Sequence, residues 1–124
     1  MNERDELILK HMLEDARDVS TFSKSVDSYK AFCQEPMVRK AIVMSMLNIG
    51  ELANHLSQDF ISSHPELPWK KMVGMRNLAA HGYHTLHLDI VWDTSRTTVL
   101  DLLSFLQEHF AAKTEEKREQ NSKS

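Results

Sequence analysis

The segment Arg76-Asn77-Leu78-Ala79-Ala80-His81-Gly82-Tyr83 is the densest polar constellation in this chain. An arginine close to a histidine suits phosphodiester chemistry. A guanidinium binds a pair of phosphate oxygens through parallel hydrogen bonds and stays charged. An imidazole titrating near neutrality takes a proton from a ribose 2′-hydroxyl or gives one to a leaving oxygen. Neither step calls for a metal. Five positions on one continuous helix set two side chains about 140° apart, so the pair converges only if the helix stops before His81. Gly82, the usual residue past a helix end, predicts that stop. On spacing alone the commoner roles of such residues are structural, an arginine in a surface salt bridge and a histidine bonded to a carbonyl.

The elements around the segment read as helices. Ile8, Met12, Ala16 and Val19 recur every three or four residues, which predicts a helix over 3–24. A short helical turn is expected over 29–34. Pro36 suits the first turn of the next helix, predicted to run from 36 to 58 with Val38, Ile42, Ile49, Ala53 and Leu56 on one stripe. Val43, Met44 and Leu47 add apolar surface on another side, as in a helix central to a bundle or shared with a second subunit. Gly50 sits inside it at a cost of up to about 1 kcal/mol relative to alanine, most simply because a neighbouring helix packs closely there. Residues 62–68 read as a turn, and Pro68-Trp69 opens the helix that carries Arg76. Asp89 is read as the N-cap of a last helix whose apolar positions are Val99, Leu102, Leu103, Leu106 and Phe110. The fold class is therefore all-α, an up-and-down bundle of four to five helices over residues 1–112. The polar tail 113–124 has nothing to bury and is expected to be disordered.

Composition narrows the function. Three Gly and three Pro among 124 residues, about 5% against an average near 12%, leave little from which to build the turns of a sandwich or barrel. The single Cys33 excludes an intramolecular disulfide and a four-thiolate zinc site. No run approaches a membrane span and the start is charged, so a cytoplasmic protein is expected. A net charge of −3 argues against a protein that coats nucleic acid non-specifically. Residues 64–87, however, hold Lys70, Lys71 and Arg76 against a lone Glu66, with four of the seven histidines. A polyanion would bind there.

Ile49-Gly50-Glu51, Leu67-Pro68-Trp69, Met72, Gly74-Met75-Arg76-Asn77 and His81-Gly82-Tyr83, in that order, resemble the HEPN superfamily and within it the HepT-like toxins. Their signature is R-x(4–6)-H followed by x-Y, and Asp89-Ile90-Val91-Trp92 is similar as well. The resemblance implies a helical homodimer that brings two motif copies together across a cleft. It implies a metal-independent endoribonuclease without cofactor, the toxin of a type VII-like toxin–antitoxin pair. The partner it implies is a minimal nucleotidyltransferase that silences the toxin by adding AMP to the motif tyrosine. On that carry-over Arg76 steadies the scissile phosphate and His81 is general acid or base. Asn77 orients one of them or contacts RNA, with Lys70 and Lys71 adding positive charge, and Tyr83 is the modification site. Glu51 either holds Arg76 in place or is an ordinary acid on an amphipathic helix.

Two further readings use the same residues. In one, a non-catalytic module holds nucleotide phosphate with Arg76 and His81 as the accessory subunit of a nucleotidyltransferase. In the other, a purely structural bundle mediates association. His81, His84 and His87 invite a zinc reading, but no acidic residue lies among them, and a solvent-facing or RNA-proximal cluster is favoured over a metal site. Cys33 reads as a structural thiol, Trp69 and Trp92 as packing residues, and Met37, Met44, Met46, Met72 and Met75 as core filling or a dimer face.

Overall fold

A computed structural model describes residues 2–82 and 87–122, and for 81, 82 and 122 the backbone alone. It is all-α. Helices run over Glu3–Lys24 (α1), Tyr29–Gln34 (α2), Pro36–Asn54 (α3), Gln58–Ser63 (α4), Trp69–Gly82 (α5), Leu88–Arg96 (α6) and Thr98–Ser122 (α7). Five of them exceed two turns, one more than the four long helices the periodicity implies, and α2 and α4 are six-residue pieces. No described helix is long and apolar enough to cross a membrane.

Local chemistry explains most of the boundaries. The Asn2 carboxamide accepts from the Asp5 N–H at 2.6 Å and caps α1, with Glu3, Asp5 and Glu6 at the positive end of its dipole. Ser28 caps α2 through the Ala31 N–H, and Pro36 stands at the start of α3. The stripes meet in one core. Leu9, Met12, Ala16 and Val19 come from α1, and Ile42, Met46, Ile49 and Ala53 from α3; Met72 and Met75 from α5 join Leu102 and Leu106 from α7. Helix α3 packs on both α1 and α5, and α7 covers α1 from the other side. Trp69 and Trp92 are packing residues: each lies partly buried against the core. Of the methionines read as core or dimer face, Met46, Met72 and Met75 are fully buried, whereas Met37 and Met44 are exposed.

Several boundaries correct the sequence reading. Helix α3 ends at Asn54 rather than running to Gln58, because Ser57 is held from elsewhere. Asp5, only 2% exposed, accepts from the Ser57 N–H at 2.9 Å and from its hydroxyl at 2.5 Å. The same hydroxyl oxygen accepts from the Phe60 N–H and starts α4. Residues 62 and 63, read as turn, therefore belong to α4. Asp89 is not a cap but lies in the first turn of α6, which begins after His87 without a side-chain cap. The predicted last helix is two, broken at Thr97, where Ser95 and Thr97 turn their hydroxyls back onto the carbonyls of Trp92 and Asp93. The polar segment beyond 112 is exposed from Thr114 to Asn121, as its composition implies, but its backbone continues α7 as far as Ser122.

At the α1–α7 seam Glu6 pairs with Lys113 and lies 3.8 Å from His109 Nε2. Two expectations follow from these contacts. Asp5→Ala removes a buried charged acceptor from two partly buried donors of Ser57, and urea unfolding should show a loss of about 2–4 kcal/mol. Burial holds the His109 imidazole below its usual 6.5, with Lys113 and His64 pushing the same way against Glu6. The unfolded chain thus binds this proton at higher pH than the native one, and stability falls as pH drops from 6.5 through the native value. Urea midpoints measured between pH 7 and pH 5.5 should decline less steeply for His109→Phe than for wild type.

Candidate active site

Helix α5 carries Arg76 because Pro68 ends the preceding turn and Met72, Met75 and Ala79 bury one stripe against the core. Its contact with α3 is unusually close. A Cβ added at Gly50 would lie 2.5 Å from the Arg76 backbone nitrogen and 3.1 Å from its Cα. Any side chain at position 50 would therefore push α5 away, which is the close packing expected of this glycine. One residue on, Glu51 reaches across the seam and its Oε1 sits 2.5 Å from Arg76 Nε. The Arg76 side chain is 55% exposed and that of Glu51 40% exposed. An ion pair so open to water adds at most about 1 kcal/mol to stability. Its consequence is geometric: the Glu51 carboxylate lies against the Nε edge of Arg76.

Asn77, Lys70 and Lys71 are exposed on α5. Lys70 and Asn77, seven positions apart, share one face about 100° from Arg76, and Lys71 lies further round still. The structure thus gathers the cations on one helix without bringing them to a single point. The helix also fails to stop before His81. Its backbone runs unbroken to Gly82, because Ala79 and Ala80 are strong helix formers and Ala79 is buried against the core. Within one chain the helix therefore separates the positions of Arg76 and His81 by about 140°. The side chain of His81, and Tyr83 and His84 altogether, lie outside the described residues. His87 stands exposed before α6. Among the described residues no three His, Cys, Asp or Glu side chains gather so as to hold a metal ion.

Sequence reasoning passed over one feature. On the side of α5 away from Arg76, a groove of about 310 Å³ opens toward α6 and the start of α7, with Lys71, Gly74 and Leu78 on one wall and Ile90, Asp93 and Thr97 on the other. In sequence the α6 residues look like an ordinary amphipathic face.

The model of the ribonuclease HepT-like family matches residues 12–109, a span that includes α3, α5 and the Gly50–Arg76 contact. This chain belongs to the HepT-like ribonuclease family. It is 37% identical over 93 residues to "Putative RNase MJ1380" of Methanocaldococcus jannaschii, covering 74% of this chain and 84% of the relative. It is 31% identical over 86 residues to "Putative RNase TTE0752" of Caldanaerobacter subterraneus subsp. tengcongensis, covering 69% and 76%. "Probable ribonuclease HepT" of Thermococcus cleftensis is 26% identical over 97 residues, with 75% and 87% covered. No solved structure matches the chain significantly.

Gly50→Ala tests how this HepT-like protein seats its arginine. Overpacking against backbone should cost about 1–3 kcal/mol of unfolding free energy in urea, well beyond what a surface alanine in a helix would do.

Proposed function

We propose that this chain is a metal-independent endoribonuclease in which Arg76 binds the scissile phosphate and His81 moves the proton. The observation that carries the reading is the Arg76 side chain itself, open to solvent, pinned by Gly50 at its backbone and by Glu51 at Nε, in a chain whose family is named for ribonuclease. With Nε engaged, the four Nη hydrogens are the ones that meet the phosphate oxygens. The ribose 2′-oxygen attacks phosphorus and loses its proton, the P–O5′ bond breaks, and the 5′-oxygen is protonated. The products are a 2′,3′-cyclic phosphate and a 5′-hydroxyl. His81 serves one of the two proton transfers, and Asn77, Lys70 and Lys71 contact the RNA on either side.

A homodimer belongs to this reading. Since α5 separates Arg76 and His81 by about 140°, two copies facing across a cleft bring an arginine and a histidine to one phosphate more simply than one copy does. The enzyme is the toxin of a toxin–antitoxin pair, and its partner is a minimal nucleotidyltransferase that adds AMP to Tyr83. The added phosphate would then repel and block the RNA backbone.

Purified protein with end-labelled cellular RNA in EDTA tests the chemistry. Wild type should leave fragments ending in 2′,3′-cyclic phosphate. His81→Ala should lose about 10²–10⁴ in rate, the usual worth of acid–base transfer, and Arg76→Ala about 10²–10³, that of a charge-stabilising donor. Undiminished cleavage by either variant would remove that residue from the mechanism. For the partner, incubation with the nucleotidyltransferase and ATP should add the mass of AMP to wild type and leave Tyr83→Phe unmodified; equal modification of both would place the AMP elsewhere.

A further inference from the structure

Helix α5 has an interior glycine of its own, Gly74, and no contact within the described chain explains it. Where a Cβ at Gly50 would strike Arg76, nothing lies within 4 Å of a Cβ built at Gly74. A glycine inside a helix weakens it, and no packing contact accounts for this one. Gly74 lies on the wall of the groove between α5 and the α6–α7 corner, whose volume is about 310 Å³. Lys71 and Asp93 give the groove one charge of each sign. Leu78 and Ile90 give it apolar walls, and Ile90 is 46% exposed although it is a large aliphatic side chain.

We propose that this groove is a nucleobase subsite for the RNA strand that crosses α5 from Arg76, and it rests on the ribonuclease reading above. Volume favours a base over a protein segment. The groove matches the low end of small-molecule pockets, about 300 Å³, whereas an entering helix would need a trough about 10 Å wide along its length. Around α5 the exposed arc leads from Arg76 past Asn77 and Lys70 to Gly74 and then Lys71, at about 100° per residue. A strand held at Arg76 passes over the helix at Gly74, the one position on that arc with no side chain, and drops a base further along the strand into the groove. Lys71 stands at the rim for the adjoining phosphate. Leu78 and Ile90 meet the base faces. Asp93 has only acceptors when ionised, so it takes hydrogen bonds from an exocyclic amine. The subsite therefore favours adenine, cytosine or guanine over uracil, which carries no amine.

Fluorescence anisotropy with 2′-O-methyl ten-residue oligomers of A, C and U tests this without cleavage, since the attacking hydroxyl is blocked. Circular dichroism and sedimentation should accompany it to report fold and mass. Wild type should bind the A and C oligomers about fivefold or more tightly than the U oligomer, and Asp93→Asn should bring the three within about twofold. Gly74→Leu, which fills the groove mouth and suits a helix, should weaken all three about tenfold or more at unchanged mass. Equal binding of the three oligomers by wild type, or wild-type affinities in a folded Gly74→Leu, would overturn the subsite. A change of mass together with the loss would assign the groove to a protein contact and overturn it too. Should Gly74→Leu not fold, the base preference and its loss in Asp93→Asn decide the matter. The two readings fail separately: wild type that cuts RNA with no groove dependence loses only the subsite. Wild type that shows the base preference and cuts nothing loses only the ribonuclease.

Discussion

The contact between Gly50 and the backbone of Arg76 is the constraint on which the rest of the site depends. Helix packing distances are set by the side chains at the crossing, and here one partner contributes none. That absence lets α5 settle against α3 at the residue whose side chain must project outward. Met72, Met75 and Ala79 bury the inner stripe of α5, so the position of Arg76 is fixed twice, by the core beneath and the glycine beside it. Glu51 follows Gly50 directly in the chain and inherits the same register. Its carboxylate therefore reaches Arg76 without any loop to hold it. A site built on two packed helices is stiffer than one on loops, and on the function proposed above that stiffness would hold the guanidinium to one geometry.

The unbroken course of α5 changes how the remaining chemistry is assembled. A helix that ended before His81 would have let one chain fold its histidine back toward Arg76. Because the backbone stays helical through Gly82, the histidine's position is displaced round the axis, and the residues nearest Arg76 in space come from α3. The arc of α5 between the two positions carries Ala80 and Val73 and then the polar Asn77 and Lys70. It offers an extended track for a strand rather than a closed pocket, consistent with a substrate that is a polymer.

What was legible in the sequence divides along the range of the interactions. The stripes of α1 and α7, the pieces at 29–34 and at Pro36, and the start of α5 rest on neighbours three or four residues away, and periodicity reports those. Gly50 and Glu51 were legible in kind, because a glycine inside an apolar helix and an acid beside it are meaningful wherever the partner lies. The end of α3 was not. It is set by Asp5, 52 residues upstream of Ser57, and no local pattern announces a carboxylate arriving from another helix. The break at Thr97 depends on hydroxyls choosing carbonyls over solvent, and a run of Thr and Ser permits either. Gly82 misled by a few residues: a glycine marks where a helix ends, but buried Ala79 decides that the turn before it stays wound.

Net charge says less about RNA than its sign suggests. Six of the acids lie between Glu3 and Asp18 on α1, and α3 stands between α1 and α5. Two helix–helix spacings of about 8–10 Å exceed the Debye length of about 8 Å at physiological salt, so those carboxylates are largely screened from a phosphate at Arg76. Beside Arg76 the near counter-ion is Glu51, with Lys70 and Lys71 further round the same helix. Glu51 in turn trims the local charge while directing the guanidinium. A protein that is acidic overall can thus offer RNA a narrow cationic track while its remaining surface discourages binding elsewhere, the charge pattern of an enzyme that selects a site along a polymer rather than coating it.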